Sequence, residues 1–149
     1  MRRTKTVVGC MRVLIGVGLL TLGVGNPAEA GSKCTVATLK GNYVYAQDGF
    51  NIAGDTAAQR TPFAQIGREI FDGKGNMTGT ASASLNGTVV RSTYAGTYAV
   101  NPDCSGTVTF TDNLSQTFHY DIFIKDGGRE FVFVQTDAGV VTAAYERRK

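Results

Sequence analysis

The sequence predicts an all-β fold, an antiparallel up-and-down barrel of about eight strands. Turn-forming residues recur at intervals of roughly 8–15 residues, and the segments between them alternate apolar and polar side chains. No window has the period of an amphipathic helix. Short strands of this kind can close into a barrel or stack as a β-sandwich, which is the alternative. Consecutive hairpins with glycine-rich turns favour closure, because a closed barrel leaves no exposed edge.

Residues 1–30 have the composition of an export signal that is removed from the mature protein. An apolar run of about twelve residues, Val13–Val24, precedes a small-residue cleavage site, Ala28-Glu29-Ala30. A retained membrane anchor is the alternative, but so short a run hardly spans about 30 Å of hydrocarbon. We therefore expect a signal peptide over 1–30, a single β-barrel domain over 31–149 and no stable membrane insertion after cleavage. The positive charges of the signal are Arg2, Arg3, Lys5 and Arg12.

The net positive charge of the chain belongs to this N-terminal segment. The sequence has 15 lysines and arginines against 12 aspartates and glutamates, a formal net charge of +3. Residues 1–30 hold four of the basic residues and one of the acidic ones, so the remainder of the chain is formally neutral. A neutral domain has no electrostatic footprint for nucleic acid, and no nucleic-acid partner is expected. The basic tail Arg147-Arg148-Lys149 is expected to be a solvated end.

Two cysteines remain in the predicted domain, Cys34 and Cys104, since Cys10 lies in the signal. In an exported chain an even number of cysteines predicts a disulfide. Two free thiols or a redox pair are the alternatives. Neither cysteine has a C-x-x-C partner and His119 is the sole histidine, so zinc or catalytic-thiol chemistry is poorly supported. No metal and no cofactor are expected.

The first two strands are predicted to be separated by a long loop. Tyr43–Gln47 is the first strand, and Asp48–Thr61, poor in strand formers, is an irregular loop over one end of the domain. Pro62 opens the second strand, Phe63–Phe71, at the first position that a sheet tolerates for proline. Both faces of this strand mix apolar and polar residues, so Glu69 can point into the interior or into solvent.

The third strand, Met77–Leu85, carries small and apolar residues on one face and Thr or Ser on the other. The small residues leave room for bulky side chains from opposing strands, the favoured interpretation, or for a ligand. Two strand segments follow, Thr88–Ser92 and Tyr94–Val100, and Asn101–Ser105 is a turn that carries Cys104.

Three further hairpins complete the predicted barrel. Their strands are Gly106–Thr111, Gln116–Lys125, Glu130–Thr136 and Val140–Tyr145. Glu130–Thr136 is largely apolar on both faces, as expected for a central strand.

Four segments of the chain carry a resemblance. They are CTVATLKGNY (Cys34–Tyr43), PFAQIGREIFDGKGN (Pro62–Asn76), GTYAVNPDCSGT (Gly96–Thr107) and QTDAGVV (Gln135–Val141). Together they resemble a set of small exported bacterial proteins of unassigned function, whose fold is similar to the calycin-like barrel of allene oxide cyclases and lipocalins. The resemblance implies the barrel and a location outside the cytoplasm. It implies no catalytic residue, because no position matches a cyclase's catalytic motif.

Two residues are candidates for chemistry. His119 could act as a general base, but no G-x-S-x-G motif accompanies it, so a surface or structural histidine is the favoured interpretation. Glu69, if it points inward, would have a pKa raised by desolvation and could serve as an acid or a ligand anchor. If it points outward, it is a solvated charge.

Three functions remain open from the sequence. The first is a binding module that holds a small apolar or amphipathic molecule, with Asp48–Thr61 gating the mouth. The second is a structural or interaction protein of the cell envelope with a filled barrel. The third is a cyclase- or isomerase-like enzyme, which is the least favoured. No catalytic residue is predicted, and the protein is expected in the periplasm or outside the cell. The predicted ligand-binding residues are Tyr43, Tyr45, Phe63, Glu69, Tyr98, Phe118 and Tyr120.

Overall fold

The computed structural model describes residues 33–53 and 60–149. The predicted signal peptide and its cleavage point, and the middle of the predicted mouth loop, lie outside the described residues. Two short 3-10 turns, Val36–Thr38 and Asp126–Gly128, accompany the strands. In the described part of the chain the strands are β1 (Lys40–Ile52), β2 (Arg60–Asp72), β3 (Asn76–Leu85), β4 (Thr88–Val100), β5 (Ser105–Asp112), β6 (Thr117–Lys125), β7 (Glu130–Gln135) and β8 (Val140–Arg148).

These strands form one closed antiparallel barrel. Each strand pairs with its neighbours in the sequence, and β8 pairs with β1, from Tyr43 opposite Arg148 to Asn51 opposite Val140. Closure leaves no unpaired edge, which is the physical advantage of a barrel over an open sheet. The predicted up-and-down barrel is confirmed and the β-sandwich alternative is wrong. The architecture is consistent with a lipocalin-like barrel.

Several strands are longer than the sequence predicts. β1 and β2 pair as far as Ile52 and Arg60, so the flanks of the predicted loop Asp48–Thr61 are strand. Cross-strand pairing there outweighs the weak strand propensity of glycine and aspartate. The fourth strand runs without a break from Thr88 to Val100, and the last continues beyond Tyr145.

Small residues inside the barrel accommodate the rings of large ones. Gly67 on β2 faces Tyr45, and Gly79 on β3 faces Tyr94. A methyl group added at either glycine would lie 2.6 Å from the hydroxyl oxygen of the facing tyrosine, so no side chain fits there. Complementary packing therefore explains the small residues in the middle of the barrel, whereas Ala83, further along β3, lines a cavity.

One end of the barrel is closed by a covalently attached segment. The Cys34–Cys104 disulfide joins the chain before β1 to the turn between β4 and β5, with the two Cα atoms 5.0 Å apart. Leu39, the last residue of this segment, is fully buried, and the Tyr98 hydroxyl donates to its carbonyl oxygen at 2.8 Å. The predicted disulfide is confirmed. It holds the segment that covers the aromatic core at this end.

Arg148 completes the closed end, and the prediction of a solvated basic tail is wrong for this residue. Its Nη2 atom donates to the Thr38 carbonyl oxygen at 3.0 Å and to the Tyr43 hydroxyl at 2.9 Å. The Tyr43 hydroxyl in turn donates to the Gly128 carbonyl oxygen at 2.5 Å. Strand alternation explains the difference: Glu146 and Arg148 lie two residues apart on the inward face of β8.

The outer face of the barrel carries apolar side chains on several strands. Val132 and Val134 on β7, a strand that is apolar on both faces, are 37% and 41% exposed. Tyr145 and Val132 are paired across β8 and β7, and Phe123 follows on β6. Among the residues that the structure describes, no helix is long and apolar enough to cross a membrane.

The disulfide is expected to stabilise the fold chiefly by restricting the unfolded chain. Replacing both cysteines, Cys34→Ser with Cys104→Ser, should lower the free energy of unfolding by about 4 kcal/mol, because the bridge closes a loop of 70 residues. Urea unfolding followed by tyrosine fluorescence measures the change. Wild-type protein unfolded under reducing conditions is the control and should match the variant. A loss below about 1 kcal/mol would contradict a constraining role for the bridge.

Candidate ligand cavity and buried carboxyl pair

The end of the barrel opposite the disulfide contains a cavity of about 430 Å³. Its rim carries both apolar and polar side chains: Leu85 and Leu114 are 37% and 54% exposed, and Asp112 and Gln116 also line the cavity. Deeper in the cavity the walls carry Phe63 and Phe118 together with the carboxamides of three glutamines. Ligand sites commonly combine an apolar lining with a few polar groups in this size range. The three glutamines are Gln47, Gln65 and Gln135.

Two tyrosines and a glutamine form a hydrogen-bonded group at the floor of this cavity. Gln65 Nε2 donates to the Tyr45 hydroxyl at 2.5 Å, and the hydroxyl oxygens of Tyr45 and Tyr94 lie 3.1 Å apart. The Tyr94 hydroxyl also donates to Oε1 of Glu69 at 2.9 Å. Burial raises the pKa of both tyrosines above the ordinary value, so both hydroxyls keep their protons at neutral pH.

Below this group lies a pair of buried carboxyl groups, Glu69 on β2 and Glu146 on β8. Only 7% of Glu69 and 2% of Glu146 is exposed. The two strands flank β1, on which Tyr45 is paired with both Gly67 and Glu146. The two carboxyl groups are close enough for each to influence the pKa of the other.

Burial sets the protonation of this pair. It raises the pKa of Glu69 to about 7, although the hydrogen bonds to Tyr94 and Glu146 act in the opposite direction. Burial also raises the pKa of Glu146 well above the ordinary value, and the neighbouring charge of Glu69 adds to this effect. In the part of the chain that the structure describes, the pair makes no ion pair with a cation. The two groups therefore titrate as a unit.

A small cavity of about 20 Å³ adjoins the carboxyl pair. A volume of this size holds one group as large as a water molecule. Two buried oxygens in its lining, Oε1 of Glu146 and Oε1 of Gln47, have no hydrogen-bond partner. Gln47, Phe110 and Tyr120 line this cavity and the larger one, so the two cavities are neighbours on the inside of the barrel.

His119 lies outside the barrel and belongs to a separate network. Its Nδ1 atom is 2.7 Å from Oδ1 of Asp137, and its side chain is 52% exposed. Gln135 connects this network to the cavity, because its Nε2 atom donates to Oδ2 of Asp137 at 2.9 Å. The Tyr120 hydroxyl donates to Oε1 of Gln135 at 3.4 Å. His119 is thus a hydrogen-bonded surface residue.

The residues predicted to bind ligand occupy three levels of the barrel. Phe63, Phe118 and Tyr120 line the large cavity, and Tyr45 and Glu69 lie at its floor. The structure does not bring Tyr43 and Tyr98 to this site. They lie at the closed end, where their hydroxyl groups donate to the backbone.

Sequence reasoning missed Glu146 and Tyr94 at the floor, together with Gln47, Gln65 and Gln135. Glu146 was missed because the last strand was predicted to end at Tyr145. Continued alternation from Thr142 through Ala144 would have placed Glu146 on the inward face.

No protein-family model and no curated protein matches this chain. Among the described residues, no group of three or more histidine, cysteine, aspartate or glutamate side chains has the arrangement of a metal site.

The buried carboxyl pair should make the barrel less stable as the pH rises from about 5 to about 8. Between the ordinary pKa of a glutamate and the value near 7 of Glu69, the folded protein binds more protons than the unfolded chain. The free energy of unfolding should therefore fall with increasing pH, by an amount on the order of 3 kcal/mol from Glu69 alone. The contribution of Glu146 has the same sign and extends to higher pH.

Urea unfolding across this pH range measures the slope, and the double variant Glu69→Gln with Glu146→Gln is the control. Glutamine does not titrate, so the variant should show a flat profile. Asp72 and Asp103 do not interfere, because hydrogen bonds from Asn76 and Ser105 lower their pKa values and they titrate only in acid. A wild-type profile as flat as that of the variant would show that the pair is already ionised.

Proposed function

We propose that this protein is an exported barrel that binds a small amphipathic molecule through its open end. The observation that carries the proposal is the asymmetry of the interior. Aromatic packing, the disulfide-linked segment and Arg148 fill one end, whereas the other contains a cavity of about 430 Å³. Natural small-molecule sites of this kind occur in the mouths of β-barrels.

The distribution of polar groups along the cavity supports an amphipathic ligand. Apolar side chains, including Phe118, make up most of the cavity wall, whereas Gln47 and Gln65 supply polar groups and Glu69 forms part of the floor. A molecule with an apolar body and one polar end would match this order, with the polar end inward. Buried polar groups lose their water when a ligand enters. They therefore favour the orientation in which the polar end of the ligand replaces that water.

Export is part of the proposal. The Cys34–Cys104 disulfide is typical of proteins that fold in an oxidising compartment. The signal-like composition of residues 1–30 and the resemblance to small exported bacterial proteins point in the same direction. The proposed location is the periplasm or the extracellular space.

An envelope protein with a filled barrel explains the closed end but leaves the large cavity without a role. A cyclase- or isomerase-like activity has one observation in its favour, the protonated carboxyl pair at the end of the cavity, since a carboxylic acid there could donate a proton. Binding remains the better-supported function, because it requires only the cavity and its lining.

Blocking the cavity should abolish ligand binding. N-phenyl-1-naphthylamine, a neutral apolar fluorophore, should bind wild-type protein with micromolar affinity and be displaced by 1-decanol. The substitution Ala83→Phe places a ring in the large cavity and should weaken binding of the fluorophore by at least about tenfold. Fluorescence titration measures both affinities.

Thr80→Phe is the matched control, because Thr80 is exposed on the outer face of the same strand. It should bind the fluorophore as wild type does, and thermal unfolding verifies that both variants are folded. Failure of wild-type protein to bind the fluorophore, or equal binding by folded Ala83→Phe, would refute the proposed function.

A further inference from the structure

We propose that Glu69, Glu146 and Gln47 form a head-group subsite that accepts the protonated primary amine of the ligand. This inference rests on the proposed function and specifies its ligand class: a linear, apolar molecule that ends in a primary ammonium group. The apolar part would occupy the large cavity, and the ammonium group would occupy the small cavity beside the carboxyl pair.

The hydrogen-bonding capacity of the small cavity determines the kind of group that fits. Oε1 of Glu146 and Oε1 of Gln47 are acceptors without partners, in side chains that are 2% and 6% exposed. A buried acceptor without a donor costs free energy, so an entering group must donate hydrogen bonds. Carbonyl, ether and carboxylate groups cannot do so.

The charges around the subsite favour a cation. The titratable side chains that face it are Tyr45 on β1, Glu69 on β2, Tyr94 on β4, Tyr120 on β6 and Glu146 on β8, and all of them are neutral or negative. The inward-facing cation of β8, Arg148, is engaged by Tyr43 and Thr38 at the closed end. A buried carboxylate becomes favourable when a cation pairs with it, and an ammonium ligand would supply that cation.

Size distinguishes a primary ammonium from larger cations. The cavity of about 20 Å³ admits one group the size of a water molecule. A primary ammonium has about this size and carries three donors, of which two can meet the unpartnered oxygens. A trimethylammonium group has no donor and is too large. Gln47 and Tyr120 line both cavities, so an apolar chain in the large cavity can deliver its end group to this place.

Competition between ligands of equal chain length tests the inference. Decylamine, 1-decanol, decyltrimethylammonium and decanoate displace N-phenyl-1-naphthylamine from wild-type protein at about pH 7.5. Decylamine should bind at least about tenfold more tightly than 1-decanol, and the other two more weakly than 1-decanol. The preference for the amine should decrease at about pH 5.5, where the carboxyl groups hold their protons.

Single substitutions test which residues cause the preference for decylamine over 1-decanol. Glu146→Gln and, separately, Glu69→Gln should each reduce the ratio of the decylamine affinity to the 1-decanol affinity from at least about tenfold to about one. Asp121→Asn is the control, because Asp121 is exposed on the outer face of β6, and it should retain the full preference. Far-UV circular dichroism verifies that each variant is folded.

The outcomes separate this inference from the proposed function. If the fluorophore and 1-decanol bind but decylamine has no advantage in wild-type protein, the ammonium subsite is wrong and the binding function stands. An amine preference that persists in both Glu146→Gln and Glu69→Gln also overturns the subsite. If no ligand binds wild-type protein, both proposals fail.

Discussion

The contact between two glycines and two tyrosine rings determines what the barrel interior can contain. Tyr45 and Tyr94 lie against Gly67 and Gly79, where no side chain would fit. This packing directs both hydroxyl groups toward the middle of the barrel, where Tyr94 meets Glu69. The tyrosines thereby separate a packed half from a half with free volume. Without these glycines the rings would have to move, and the floor of the cavity would be lost.

The arrangement below the tyrosines is unfavourable for stability. Two carboxyl groups without a cation, and two buried oxygens without donors, each raise the free energy of the folded state. The packed end offsets this cost. Phe71 contacts the rings of Tyr43, Tyr98 and Phe131, with centroid distances of 5.3, 5.0 and 5.7 Å. Local instability that is supported by a well-packed neighbourhood is typical of functional sites.

The sequence predicts the barrel well because its signals are local. Glycine turns and alternating strands identify the hairpins, and the even number of cysteines identifies the disulfide. The candidate site is harder to predict, because Glu69 and Glu146 come from strands that meet only through β1. The final residues of β8 look like a charged tail, but they are strand residues paired with β1 and β7, and Glu146 and Arg148 face inward. The exposure of outer side chains is also hard to predict from local pattern: β7 is apolar on both faces, but its valines are partly exposed in the part of the chain that the structure describes.

The position of the disulfide in the chain has a consequence for assembly of the protein during oxidative folding. The bridge between Cys34 and Cys104 encloses β1 to β4, which include Glu69, but excludes β8, which carries Glu146. The disulfide can therefore form within the first half of the molecule, before β8 pairs with β1. The two acids come together only at that closing step. Burial of the two acids, and the proton uptake that accompanies it, therefore depends on pairing between β8 and β1.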